Sequence, residues 1–274
     1  MKQNRKKKHI ASVLCMIVLL CTGVTILTGC RQETSKKLVD SAAKNMEKEE
    51  SFANTVKLDI GVETVVDSRG ISMEMDMEST ARPKAGHAKG TAKVHVKGAE
   101  VASDIEIYQV TEGEKHVTYS SIYGEWMKEE ADTSAQIGVN ESFFQSAKEH
   151  MEEFHLSGET VEVEGQECYQ MYGNIPCKEL TDFLGKEMIY AFGLLELPDM
   201  ETIENMEIPV TFDVYKKEML PARMIVDMKE AVDGLYDSYG QGENVKDFTI
   251  ELVFRKYGEI EKIQVPVEVK EAAE

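Results

Sequence analysis

The chain is poor in cysteine, proline and tryptophan, and the shortages narrow what it can be. Of five cysteines in 274 residues, Cys15, Cys21 and Cys30 lie in or at the end of the first hydrophobic run. Only Cys168 and Cys177 remain, with no second pair to complete a zinc site and a spacing too wide for C-x-x-C redox chemistry. Six prolines and an apolar fraction of 42% exclude a disordered, low-complexity polymer. No G-x-S-x-G elbow, phosphate loop or dinucleotide fingerprint occurs, so no cofactor is implied. Most acidic residues alternate with apolar ones, no catalytic carboxylate pair stands out, and the chain does not read as an enzyme. It also lacks a repeat of fixed period and any linker that would divide it in two.

Basic residues are in the minority, 31 against 50 acidic. Five of them (Lys2, Arg5, Lys6, Lys7 and Lys8) fall in the first eight residues, well before the first acidic residue, Glu33. Without residues 1–29 the body keeps 26 basic and 50 acidic groups, a net charge of −24. Such a surface repels nucleic-acid phosphates and anionic lipid head groups, which argues against nucleic acid as a partner.

The basic start leads into Ile10–Leu27, 18 residues without a charge. That exceeds the ~7–15 residues of an ordinary signal core and approaches the ~20 of a membrane span. Length therefore leaves both readings open. The segment Leu27-Thr28-Gly29-Cys30 decides for processing, because it matches the bacterial lipobox: a branched apolar residue three before a cysteine, with small residues between. Around Cys21 the bulky Leu20 stands where a small residue is needed. Residues 1–29 then form a lipoprotein signal peptide, and Cys30 becomes the lipidated first residue of a single domain, 30–274. Whether the run is cleaved or kept as an anchor, the lysines stay inside and the body lies at the outer face of the cytoplasmic membrane. The membrane, held through the lipid, is its expected partner.

The body opens with a short helix carrying Leu38, Val39, Ala42, Ala43 and Met46, which Thr34 or Ser35 could cap. Period-2 runs come next. Val56, Leu58, Ile60 and Val62 form one, Met73, Met75 and Met77 the next, then Ala92, Val94 and Val96, then Val101, Ile105 and Ile107. Tyr119 and Trp126 belong to two further strands. Asn140 could cap a helix with Phe143, Phe144, Ala147 and Met151. Strands return at Glu159–Glu164 and Glu167–Tyr172, and Lys178–Leu195 reads as a strongly apolar helix. The last third reads as strands through Ile208–Val214, Met224–Met228, Phe248–Phe254 and Ile263–Val267, interrupted by a Gly- and Asp-rich loop, Asp233–Asn244. The expected fold is α+β and mainly β. About ten or eleven antiparallel strands in one sheet must curl into a half-barrel, with helices covering the concave face.

The order and phrasing of these elements resemble the lipoprotein-carrier superfamily, the Lol-type carriers and the LppX/LprG-type lipoproteins. MEKEESFANTVKLDIGVE is similar to the family's helix, turn and long first strand, and YSSIYGEWMKEE to its Gly–Trp strand pair. VTFDVYKKEMLPARMIVDM resembles its hairpin with an LP turn, and KYGEIEKIQVPVEVK its final strand. The resemblance implies a half-barrel whose hollow holds acyl chains and which has no catalytic residues. On that reading Met73, Met75, Met77, Phe212, Val214, Met224, Phe248, Ile250 and Leu252 line the hollow, and Leu184, Met188 and Phe192 form its lid. The alternative is the same fold with a self-filled core, acting as an envelope interaction or sensor module.

Other chemistry is weaker. His150 and His155 are five apart, not on one helical face, and His87 and His95 share a strand face without a third ligand. The methionine run suits an adaptable apolar wall better than a copper site. Asp233 and Asp237 with Gly240 and Gly242 fall short of an EF-hand and suggest at most a loose cation site. No resident metal is expected. Cys168 and Cys177 flank a turn-like Gly173-Asn174-Ile175-Pro176, so outside the cytoplasm they could form a disulfide or remain two thiols.

Overall fold

Thr34 caps the first helix as its sequence suggests: its Oγ1 accepts a hydrogen bond from the Lys37 amide at 3.3 Å. This helix, α1 (Ser35–Met46), buries Leu38, Val39, Ala42, Ala43 and Met46. The computed structural model describes residues 34–64, 67–122, 124–131, 148–180, 183, 206–239 and 244–273; the side chains of 122 and 235–239 are not described. Thr34–Glu274 form one unit.

Among the described residues, eleven antiparallel strands come after α1. They are β1 (Ser51–Glu63), β2 (Ser68–Ala81), β3 (Lys84–Val96), β4 (Ala99–Glu112), β5 (Lys115–Ile122), β6 (Glu125–Ala131), β7 (His155–Val163), β8 (Gln166–Pro176), β9 (Glu207–Tyr215), β10 (Pro221–Asp227) and β11 (Asn244–Arg255). Their order in the sheet is β6-β5-β4-β3-β2-β1-β11-β10-β9-β8-β7. Two meanders, β1–β6 and β7–β11, are thus joined where the first strand pairs with the last. Turn chemistry supports the ladder. The two-residue hairpins Lys97-Gly98 (φ 54° and 76°) and Glu164-Gly165 (φ 51° and 75°) take the left-handed conformations that match strand twist. The result is the expected open, curled antiparallel sheet with few helices.

Alternation gives the sheet an inner and an outer face. One inner row runs Leu156, Met171, Phe212, Met224, Leu252, Val56, Met75, Gly90, Ile105 across nine strands, read from the pairing register. Over it pack α1, Met151, Phe154, Leu180 and Phe183. Helix α2 (Lys229–Tyr239) contributes Ala231 and Val232 to the same cluster.

Two expectations fail at the C-terminal end. The Asp233–Asn244 loop is mostly α2, and Asp233 Oδ1 accepts the Val245 amide at 2.7 Å, tying the helix to β11. Its composition suggested a loop, but apolar Ala231 and Val232 on one side suffice for a packed helix; residues 240–243 lie outside the described set. The expected strand through Ile263, Val265 and Val267 is not a strand. Pro266, which has no amide to donate, begins the short helix α3 (Val267–Ala272). Ile263 and Val269 instead cover the outer face, where they pack with Tyr108, Val117 and Tyr119.

Asp213, on the outer face of β9, is fully buried and receives Arg223 Nε at 2.8 Å and Gln170 Nε2 at 3.1 Å. Burial raises its pKa above the usual carboxylate range, outweighing the lowering by Arg223 and Gln170. Arg223→Met removes the cation and leaves the carboxylate stranded, so stability at pH 7 should fall by about 3 kcal/mol. A carboxyl with a raised folded-state pKa takes up its proton more readily folded than unfolded, so acidification relieves the penalty. Urea denaturation across pH should show the deficit shrinking from pH 7 toward about 4; a deficit that grows on acidification contradicts this assignment.

Candidate functional site

The nine residues expected to line a hollow all lie on the inner face, but most are packed core. Phe212, Val214, Met224, Ile250 and Leu252 have no exposed surface, and Phe248, Met75 and Met77 retain 3–8%. Met73 is partly buried at the edge of the cluster. Alternation identifies the face correctly, yet a packed core and a pocket wall have the same period. The lid residues Leu184, Met188 and Phe192, and the lipobox Cys30, lie outside the described residues.

The open part of the face is next to this core, over β3 and β4. From Gly86 to Ala92 the inward positions of β3 carry only small residues: Gly86, Ala88, Gly90 and Ala92. A Cβ on Gly90 would stand 2.0 Å from the Glu74 carbonyl oxygen and 2.7 Å from Met75 Cα, so β2 and β3 approach too closely there for any side chain. Ala88 belongs to the core and is fully covered, so the face opens only beyond Gly90, between Met73 of β2 and Ser103 and Ile105 of β4. Toward the β3–β4 turn it becomes a groove of about 440 Å³ lined by Ala92, Val94, Val96, Ala99, Val101, Ser103 and Ile105. That volume lies in the range of small-ligand sites, ~300–1,000 Å³.

Burial falls steadily into this groove. Along the row Phe248, Ile60, Ile71, Val94, Val101, exposure rises from 3% at Phe248 to 43% at Ile71 and Val94 and 57% at Val101. Among the described residues of the lining, Ser103 has the only hydrogen-bonding side chain. The groove can therefore exclude water from an apolar chain and offers almost nothing to orient a polar substrate. The stretch AGHAKGTAK, small at every second position, is the sequence signal for it.

The other candidate groups are structural. His87 stacks on Tyr108 at 4.2 Å between ring centres and bonds Glu106 through Nε2 at 3.0 Å. Glu106 also receives Lys89 at 3.2 Å and the Tyr108 hydroxyl at 3.0 Å. Burial would raise the Glu106 pKa, but these donors prevail and lower it; burial and Glu106 push Tyr108 up to about 12. His150 Nδ1 lies 2.9 Å from Glu179, and His155 packs edge-on to Tyr172. Among the described residues no three His, Cys, Asp or Glu side chains converge as a metal site.

Cys168 and Cys177 are buried free thiols, not a disulfide. The turn expected between them is absent because β8 runs straight from Gln166 to Pro176. Gly173 serves packing instead: a Cβ there would lie 2.3 Å from the Phe154 ring. At ~3.3 Å per residue the two cysteines stand roughly 30 Å apart, far beyond disulfide reach. Burial, reinforced by nearby Asp213, pushes the Cys168 thiol up to about 11, and burial raises Cys177 as well. Both should resist alkylation by iodoacetamide until the protein is unfolded, with the intact mass of two free thiols. A mass 2 Da lower, marking a disulfide, would contradict this geometry.

No curated protein sequence matches the chain. Its fold is similar to that of LprF from Mycobacterium bovis, at 13% identity and a TM-score of 0.49, over 85% of this chain and 96% of that one. A DUF1329 family protein from Desulfovibrio piger matches at 9% identity and a TM-score of 0.23, over 82% and 94% of the two chains. A beta-barrel-like DUF1849 protein from Brucella abortus matches at 10% identity and 0.23, over 76% and 98%. Residues 34–274 fit the model of DUF6612, a family of unknown function, and the chain belongs to that family.

Proposed function

We propose that this chain is an extracytoplasmic lipoprotein, anchored through Cys30, that holds a lipid-like ligand in the β3–β4 groove and performs no catalysis. The observation that carries this reading is the groove itself: an apolar, open-sided recess continuous with the core and nearly free of polar groups. Burial would drive binding, at ~0.8 kcal/mol per CH₂ removed from water. The lipobox supports the location, and only three residues between Cys30 and Thr34 keep the fold close to the membrane.

A second reading is favoured by a different observation. The expected wall residues over β9–β11 are packed against the chain's own helices, so that part of the half-barrel is self-filled. A protein with no ligand would then use its fold as an interaction or sensor module.

Uptake of a fluorescent fatty acid separates the two. The wild-type chain should bind it, and Ala92→Phe, which grows a ring into the groove, should weaken binding at least ~10-fold, about 1.4 kcal/mol. Val214→Ile, on the same face but remote from the groove, should leave affinity unchanged. A wild-type chain that takes up no fatty acid and yields no lipid on extraction sinks the ligand reading.

A further inference from the structure

Four exposed apolar residues of the inner face lie together at one end of the sheet. Ile71, Val94, Val96 and Val101 are 43–57% exposed, where β2 begins, β3 ends and β4 begins. In an antiparallel sheet this is also the edge where β8 ends and β9 begins. Such a cluster marks a surface that meets something apolar.

The start of α1 is directed to the same edge. Its last turn is fixed at the opposite edge, where Asn45 Nδ2 bonds the Glu218 and Met219 carbonyls in the β9–β10 turn at 3.1 and 3.2 Å. Its first turn pairs Lys36 with Glu152. Two residues away, His150 pairs with Glu179, just beyond the end of β8. Cys30 lies four residues before Thr34 and can reach at most about 14 Å from it. The start of α1, four residues after the proposed anchor, is thus directed to the same end of the sheet as the exposed apolar lip.

We propose that this lip docks on the bilayer that holds the anchor, so that the groove opens into lipid instead of water. The occupant of the lip is the membrane surface. Its attraction is apolar, because a body carrying −24 gains nothing from anionic head groups. Lipid would then pass between bilayer and groove by lateral movement, without crossing water. The inference rests on the lipoprotein reading above.

The test uses the full, lipidated protein in vesicles of phosphatidylcholine with brominated acyl chains, and tryptophan emission as the readout. Trp126, the single tryptophan, is replaced by Phe. Val101→Trp then reports on the lip. Glu114→Trp reports on the β4–β5 turn, 13 residues along the same strands and roughly 43 Å away. Val94→Trp is the second lip probe, should Val101→Trp misfold. The lip probes should lose most of their emission and Glu114→Trp almost none, at low and high salt alike. Equal quenching at both ends, quenching at neither, or protein that does not stay on the vesicles overturns the proposal. So does a lip buried in a concentration-dependent dimer and shielded from the lipid. Fatty-acid uptake is read separately: lip-specific quenching without uptake keeps the docking and loses the ligand, and uptake without quenching does the reverse.

Discussion

The pairing of β1 with β11 holds the molecule together. It joins the first strand of the body to the last, from Ala53 against Arg255 to Glu63 against Asn244. Without it the chain would be two separate meanders, each with an uncovered apolar face. With it, the inner residues of both halves share one surface, and Val56 and Leu58 of β1 stand between Leu252 and Ile250 on one side and Met75 and Met73 on the other. Contacts of such long sequence separation cost chain entropy before they return any burial, so folding should be slow for the size of the domain.

Burial is graded on either side of that seam. On the β11 side the inner face is fully covered, and each buried Leu, Phe or Met there contributes about 1.5–3 kcal/mol relative to exposure. Surface ion pairs such as Lys89 with Glu106 are worth about 0–1 kcal/mol each, so the covered half carries the stability. On the β2–β4 side the face is covered as far as Met75, Met77 and Ala88 and opens beyond them. Gly86, Ala88, Gly90 and Ala92 make the sheet thin there, and Val94, Val96 and Val101 are left partly in water. Stability and the candidate site are therefore neighbours on one surface, divided by side-chain size and not by polarity.

Much of this is legible in the sequence, and the limits have physical causes. The faces of most strands can be read from alternation because one face of the sheet is mainly apolar from β8 across β11 and β1 to β4. Pairing of β1 with β11 cannot, since no local signal records a partner two hundred residues away. Gly173-Asn174-Ile175-Pro176 reads as a turn because glycine marks both turns and close packing; here the Phe154 ring settles which. Ile263, Val265 and Val267 alternate as a strand would, but Pro266 removes the ladder donor and the segment serves as a cover for Tyr108 and Tyr119. The methionine strand points to the right face, and only packing distinguishes buried Met75 and Met77 from the open positions two strands away.

The most direct measurement is methyl NMR of the protein titrated with oleate. If the groove is the site, the methyls of Ala92, Val94, Val101 and Ile105 should shift saturably, while those of Val214 and Met224 stay in place. Shifts centred on Val214 and Met224, or no saturable shift at all, would contradict the account.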